Sequence, residues 1–179
     1  MSKFANIGYV LLVAASIAVA DQPSPYAGQH HRDIKALSPQ EVQNYLQGKG
    51  MGYAKAAELN HYPGPMHALE LADQLGLGAD QIESIRRLMH EHKAEARAIG
   101  AKLVESERTL EMVFRRADAE QRSLSEAVRH AASLQGQYRL SHLETHRRMR
   151  TLLTDEQVAK YDALRGYAKD SGDTYRRAH

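Results

Sequence analysis

The stretch that decides the fold is ADQIESIRRLMHEHKAEARAIGAKLVESERTLEMVFRR, residues 79–116. Within it Ile82, Ile85, Met89, His92, Ala96, Ile99, Leu103, Ser106, Leu110 and Val113 recur at alternating steps of three and four residues. That spacing lays side chains in one stripe along an α-helix and predicts a single long amphipathic helix over 79–116. A polar, weakly periodic break follows at 117–122. From Leu124 the same stepping resumes through Val128, Ala131, Gln135, Tyr138, His142, Thr145, Met149 and Leu152. Two long helices joined by a short polar loop are expected to fold back as an antiparallel hairpin.

The flanks read as shorter helices. Thr154-Asp155-Glu156-Gln157 is a capping box that starts a last helix, with Val158, Tyr161 and Leu164 on one face and Gly166 as its stop. Ser38-Pro39-Gln40-Glu41 is a second such box, with Pro at the first helical position, and launches a helix to about Gln47. Gly48, Gly50 and Gly52 break it. Short helical stretches are expected at 53–59 and 66–75, separated by the Pro/Gly turn of 60–65 and closed at Gly76. Residues 21–37, rich in Pro, Gly, Gln and His, read as an extended arm, and 168–179 as a polar tail. No segment has the period of a strand, so the expected class is all-α, a helical domain over 38–167.

At the start, Lys3, an apolar run from Ile7 to Ile17 and Ala18-Val19-Ala20 before Asp21 have the form of a secretory signal peptide over 1–20. The run is too short for a comfortable membrane span, so the expectation is a periplasmic protein with no stable membrane anchor after cleavage. The chain has no Cys, which suits an oxidising compartment and excludes disulfides, thiol nucleophiles and Cys-based metal sites. A net charge of only +2, without a basic patch interleaved with aromatics, argues against a nucleic-acid partner. Catalysis is not expected either. The nearest approach to a catalytic motif, His142-Leu143-Glu144-Thr145-His146, displaces the Glu from the zincin spacing. Small or polar residues at Ala96, Ser106, Ala131, Gln135 and Thr145 dilute the seam, which points to a homodimer that buries more of it.

Leu153-Thr154-Asp155-Glu156-Gln157 matches the LTxxQ motif, and Leu77-Gly78-Ala79-Asp80-Gln81 is a second copy with Gly in place of Thr. With the run from His142 to Met149 on the long helix, these residues make the region 69–167 resemble the Spy/CpxP group of periplasmic proteins. The resemblance implies an all-helical, often dimeric, cradle-like protein of the envelope stress response with no catalytic centre. Some members are ATP-independent chaperones for misfolded periplasmic proteins. Others bind or sense divalent metals. A membrane stress sensor is a further partner the resemblance suggests.

The ten His bear on the choice between these functions. His142 and His146 are four residues apart and project from one helix face, and the hairpin places His92 level with His146, so three imidazoles can converge on copper, zinc, nickel or cobalt. Met149 adds a soft thioether that favours copper. The alternative is that His92 and His142 occupy diluted core positions while His146 faces solvent. His61 and His67, around a rigid turn beside Met66, form a second candidate cluster, against which stands a plain helix connector with surface His. His30-His31 and His90 add only weak candidates. For a chaperone-like surface the candidates are Met112 and Phe114 near the hairpin tip, and Tyr138 and Leu143 beside Arg147 and Arg148, unless these build the core or a solvated face. The resemblance thus leads to chaperone-like client binding, with metal binding or sensing, carried by His92, His142 and His146, as the alternative.

Overall fold

The computed structural model describes residues 23–116 and 119–167. The signal segment and the polar tail lie outside the described residues. The chain divides into one unit up to His30 and a second from His31 onward. In the first, the Ala27 N–H donates to the Ser24 carbonyl at 2.8 Å and the Gln29 side chain to the Pro25 carbonyl at 3.0 Å. The described residues of the second hold seven α-helices: α1 Pro39–Leu46, α2 Lys55–Glu58, α3 Pro65–Glu70, α4 Ala72–Leu75, α5 Ala79–Arg115, α6 Gln121–Arg150 and α7 Asp155–Leu164. Among the described residues there is no strand, and none of these helices is long and apolar enough to cross a membrane.

Helices form where the caps and the apolar stepping place them. The Ser38 hydroxyl accepts the Glu41 N–H at 3.2 Å while the Glu41 carboxylate accepts the Ser38 N–H at 2.8 Å. Thr154 and Gln157 make the same reciprocal pair at 3.2 and 3.0 Å. Gly78 has no side chain to give, so only half of the box survives there, the Gly78 N–H donating to Gln81 Oε1 at 3.0 Å. The two motif glutamines also meet each other. Gln81 Nε2 lies 2.9 Å from Gln157 Oε1 and 2.9 Å from the Leu152 carbonyl, which ties the start of α5 to the start of α7. The helix expected over 66–75 is divided instead into α3 and α4, because Leu71 leaves helical geometry at φ −100° and ψ 12°.

α5 and α6 run antiparallel, as Glu91 pairing with Arg148 and Gly100 lying against Tyr138 require. Their seam carries two apolar clusters. One gathers Ile85 and Leu88 of α5, Met149 of α6, Ala68, Leu75, Leu153, Val158 and Tyr161. The other gathers Ala96, Leu103 and Val104 of α5, Leu134 and Tyr138 of α6, Tyr45 of α1, and Ile34. His92 and His142 fall between the clusters in chain order on both helices. Part of the segment read as an arm is pinned: Ile34 is buried, and Lys35 pairs with Glu111 at 2.5 Å while Arg115 donates to the Asp33 carbonyl at 2.6 Å. The short stretch 31–37 lacks a helical period, so its one inward apolar residue leaves no pattern to read.

α1 crosses α5 at Gly100, where a Cβ would stand 2.1 Å from the Tyr45 carbonyl oxygen and 3.2 Å from Tyr138 Cε2. No side chain fits there without displacing backbone. Gly136, on the exposed side of α6, has nothing within 4 Å of that position. Gly100→Ala is therefore expected to cost about 3 kcal/mol in chemical denaturation, as overpacking against fixed backbone does. Gly136→Ala should instead stabilise by about 0.5–1 kcal/mol through helix propensity. Equal effects of the two substitutions would contradict this crossing.

Candidate functional site

The three- and four-residue stepping that builds the seam delivers one imidazole from each long helix to the same point. His92 Nε2 and His142 Nδ1 are 3.0 Å apart, with ring centroids at 4.5 Å and planes at 75°. His142 is 4% exposed, and Tyr138 and Tyr53 pack on its ring. A neutral imidazole carries one proton, so one ring of the pair donates and the other accepts. The far nitrogens, His92 Nδ1 and His142 Nε2, are buried without a hydrogen-bond partner. Whichever ring donates, one buried N–H and one buried lone pair are left over. Burial, reinforced for His142 by His92 and His146, pushes both rings down to about 4; His146 also lowers His92. Both are neutral at pH 7, the form in which imidazole is a ligand.

These rings border a cavity of about 850 Å³. Tyr138 fixes its cover: the Tyr138 hydroxyl donates to the Lys49 carbonyl at 2.7 Å, and Gly50 lies over the His142 ring. That leaves the Gly-rich turn after α1 seated on α6. One turn along α6, His146 Nδ1 donates to the Tyr62 carbonyl at 2.8 Å, which leaves Nε2 as the acceptor nitrogen. Glu58 approaches the same Nδ1 at 3.4 Å and accepts the Tyr161 hydroxyl at 2.5 Å. Gly64 is seated against this ring, where a Cβ would stand 3.1 Å from His146 Cε1.

Of the candidates from sequence, His92, His142 and His146 all border this cavity. The contact of His92 is with His142, one helical turn from the expected partner His146. His67 also borders the cavity, with its Nδ1 donating to Glu70 at 2.9 Å. His61 does not join it; its Nδ1 donates to the buried Asp162 at 2.6 Å. Met149 is fully buried in the apolar core, its thioether enclosed by hydrocarbon. Met112 and Phe114 are exposed near the end of α5, whereas Tyr138 is core and Leu143 half-buried. Arg147 pairs with Glu144 at 2.6 Å and Arg148 with Glu91 at 2.9 Å. Sequence reasoning missed Met51 and Met89 as lining residues, and grouped Met66 with His61 and His67 rather than with His92 and His142. Met89 was legible, because three residues before His92 on a helix is the same face.

Two nitrogens bound to one tetrahedral ion at about 2.0–2.1 Å lie about 3.3 Å apart. The 3.0 Å separation of His92 and His142 is a few tenths short of that span, so an ion could replace their shared proton with a small opening of the seam. Among the described residues no group of three or more His, Cys, Asp or Glu is arranged to hold a metal ion. The donor set is therefore two imidazoles with thioethers nearby, which suits a soft ion better than an oxygen-loving one. No protein-family model, curated protein or solved structure matches this chain.

Because folding holds both rings neutral down to about pH 4 while the unfolded chain takes up protons from about pH 6.5, their contribution is complete above pH 6.5. It is lost as pH falls from 6.5 towards 4. Metal-free protein is expected to lose thermal stability across that window, and His142→Phe to show a shallower decline. A variant as acid-sensitive as the parent would show that the pair does not drive the loss.

Proposed function

We propose that this chain is a periplasmic transition-metal-binding protein acting in metal or envelope stress, with His92 and His142 as the primary ligands. The reading is carried by one observation: two neutral imidazoles at 3.0 Å, His142 buried and His92 half-buried, each with an orphaned nitrogen, at the edge of a cavity. His146 Nε2 and the thioether of Met89 are the further donors that border the same space. Imidazole with thioether favours copper, Cu(I) above all, over zinc, nickel and cobalt. An ion held between His92 Nε2 and His142 Nδ1 would shift their shared proton to the far nitrogen that lacks one, and would favour the folded chain over the unfolded one. The resemblance to Spy/CpxP proteins supports the periplasmic setting and a homodimer, and no catalytic role is proposed.

Calorimetric titration of residues 21–179 with Cu(I) under anaerobic conditions, and separately with zinc, nickel and cobalt, tests the reading. One ion per chain is expected, with copper tightest, and His92→Phe or His142→Phe weakening it at least 100-fold. Unchanged affinity in those variants would remove the site.

A second reading, chaperone-like binding of misfolded periplasmic proteins, is favoured by Phe114 and Met112, which stand 59% and 38% exposed near the end of α5. Adaptable apolar side chains on a charged helix suit clients of no fixed shape. Met112→Ser with Phe114→Ser is expected to reduce suppression of client aggregation severalfold while leaving metal binding intact. Full suppression by that variant would set this reading aside.

A further inference from the structure

The cavity has a second chemistry that the imidazoles do not explain. Its walls are mainly apolar, built by Met51, Leu59, Pro65, Met66 and Met89, and Met66 and Leu59 stand 54% and 49% exposed. Around them lie five cations, Lys49, Lys55, Lys93, Arg97 and Arg165, against one carboxylate, Glu58. Glu58 is already engaged by the Tyr161 hydroxyl, by His146 and, at 3.8 Å, by Arg165. Lys49, Lys55, Lys93 and Arg97 form no ion pair with any described residue, although ion pairs are frequent elsewhere on α5 and α6. An apolar hollow with unpaired cations about it is complementary to a molecule that carries both an apolar body and a negative head.

We propose that this cavity binds a single-chain anionic amphiphile, a fatty carboxylate or its sulfate equivalent. The tail lies among the methionines and the head meets Lys93 and Arg97. A volume of about 850 Å³ falls within the usual range of small-ligand pockets, roughly 300–1,000 Å³. Unbranched thioether side chains adapt to a flexible tail. Lys93 and Arg97, four residues apart on the exposed face of α5, present their charges on one side. Since neither ring nitrogen of the His pair is used, the inference stands independently of the metal reading.

The test is calorimetric titration of chelator-treated residues 21–179 with laurate, octanoate, dodecyl sulfate and dodecyltrimethylammonium, all below their micellar concentrations. One laurate per chain is expected. Octanoate should bind on the order of 100-fold more weakly, because each buried methylene contributes about fourfold in affinity. Dodecyl sulfate should match laurate, and the cationic amphiphile should bind at least tenfold more weakly. Lys93→Gln with Arg97→Gln, both exposed positions, should weaken laurate about tenfold while helical circular dichroism and metal affinity stay unchanged. Equal binding of anionic and cationic amphiphiles would overturn the proposal, as would uptake of many molecules without saturation, an unchanged affinity in the double variant, or no binding. Weakened metal binding in His142→Phe with laurate affinity retained separates the two sites.

Discussion

Tyr138 is the side chain on which the arrangement depends. It is fully buried in the seam, meets Tyr45 and Tyr53 edge-on at 5.2 and 5.5 Å, and packs against His142 at 4.8 Å. Its hydroxyl reaches the Lys49 carbonyl, so burial of a polar atom is satisfied by fixing the Gly-rich turn above α6. Tyr45 approaches closely enough for this only because Gly100 lets α1 lie against the α5 backbone. One aromatic contact thereby couples a short amphipathic helix to the long pair, and the cover it creates buries His142 and half-buries His92. The low proton affinity of the two rings follows from that burial.

Much of the architecture was legible in the sequence because it rests on local chemistry. The alternating steps of α5 and α6 give a continuous stripe, and the Ser38 and Thr154 boxes mark helix starts within the chain itself. What the sequence did not disclose depends on contacts between distant segments. The amide pair of Gln81 and Gln157 joins residues far apart in the chain, and each alone reads only as a cap. Ile34 is a single inward residue in a stretch without period, so its burial has no local signature.

The candidate site divides in the same way. His142 was placed by helical stepping, and its proximity to His146 follows from four-residue spacing. The partner of His92 required the register of α5 against α6, which loop length alone fixes only to within a turn. Met149 illustrates the limit of spacing arguments. Its position on the seam stripe is as expected, but the stripe there passes through the apolar cluster of Ile85, Leu88 and Tyr161, which encloses the thioether in hydrocarbon away from the cavity. Met51 and Met66 reach the cavity from turns and a short helix whose direction only the tertiary structure sets.

Interruption of an apolar seam by two imidazoles that satisfy only one nitrogen each is costly in a chain that gains nothing from them, since buried polar groups without partners destabilise. A seam of the same length could be filled by Leu at both positions. The pair's place beside a methionine-lined cavity is the basis for the proposal that it holds a soft metal ion. X-ray absorption of the copper-loaded protein tests that assignment most directly. Two imidazole nitrogens are expected in the first coordination shell, with a thioether sulfur, and one imidazole fewer in His142→Phe. A shell of water or carboxylate oxygens, or one unaltered by that substitution, would contradict it.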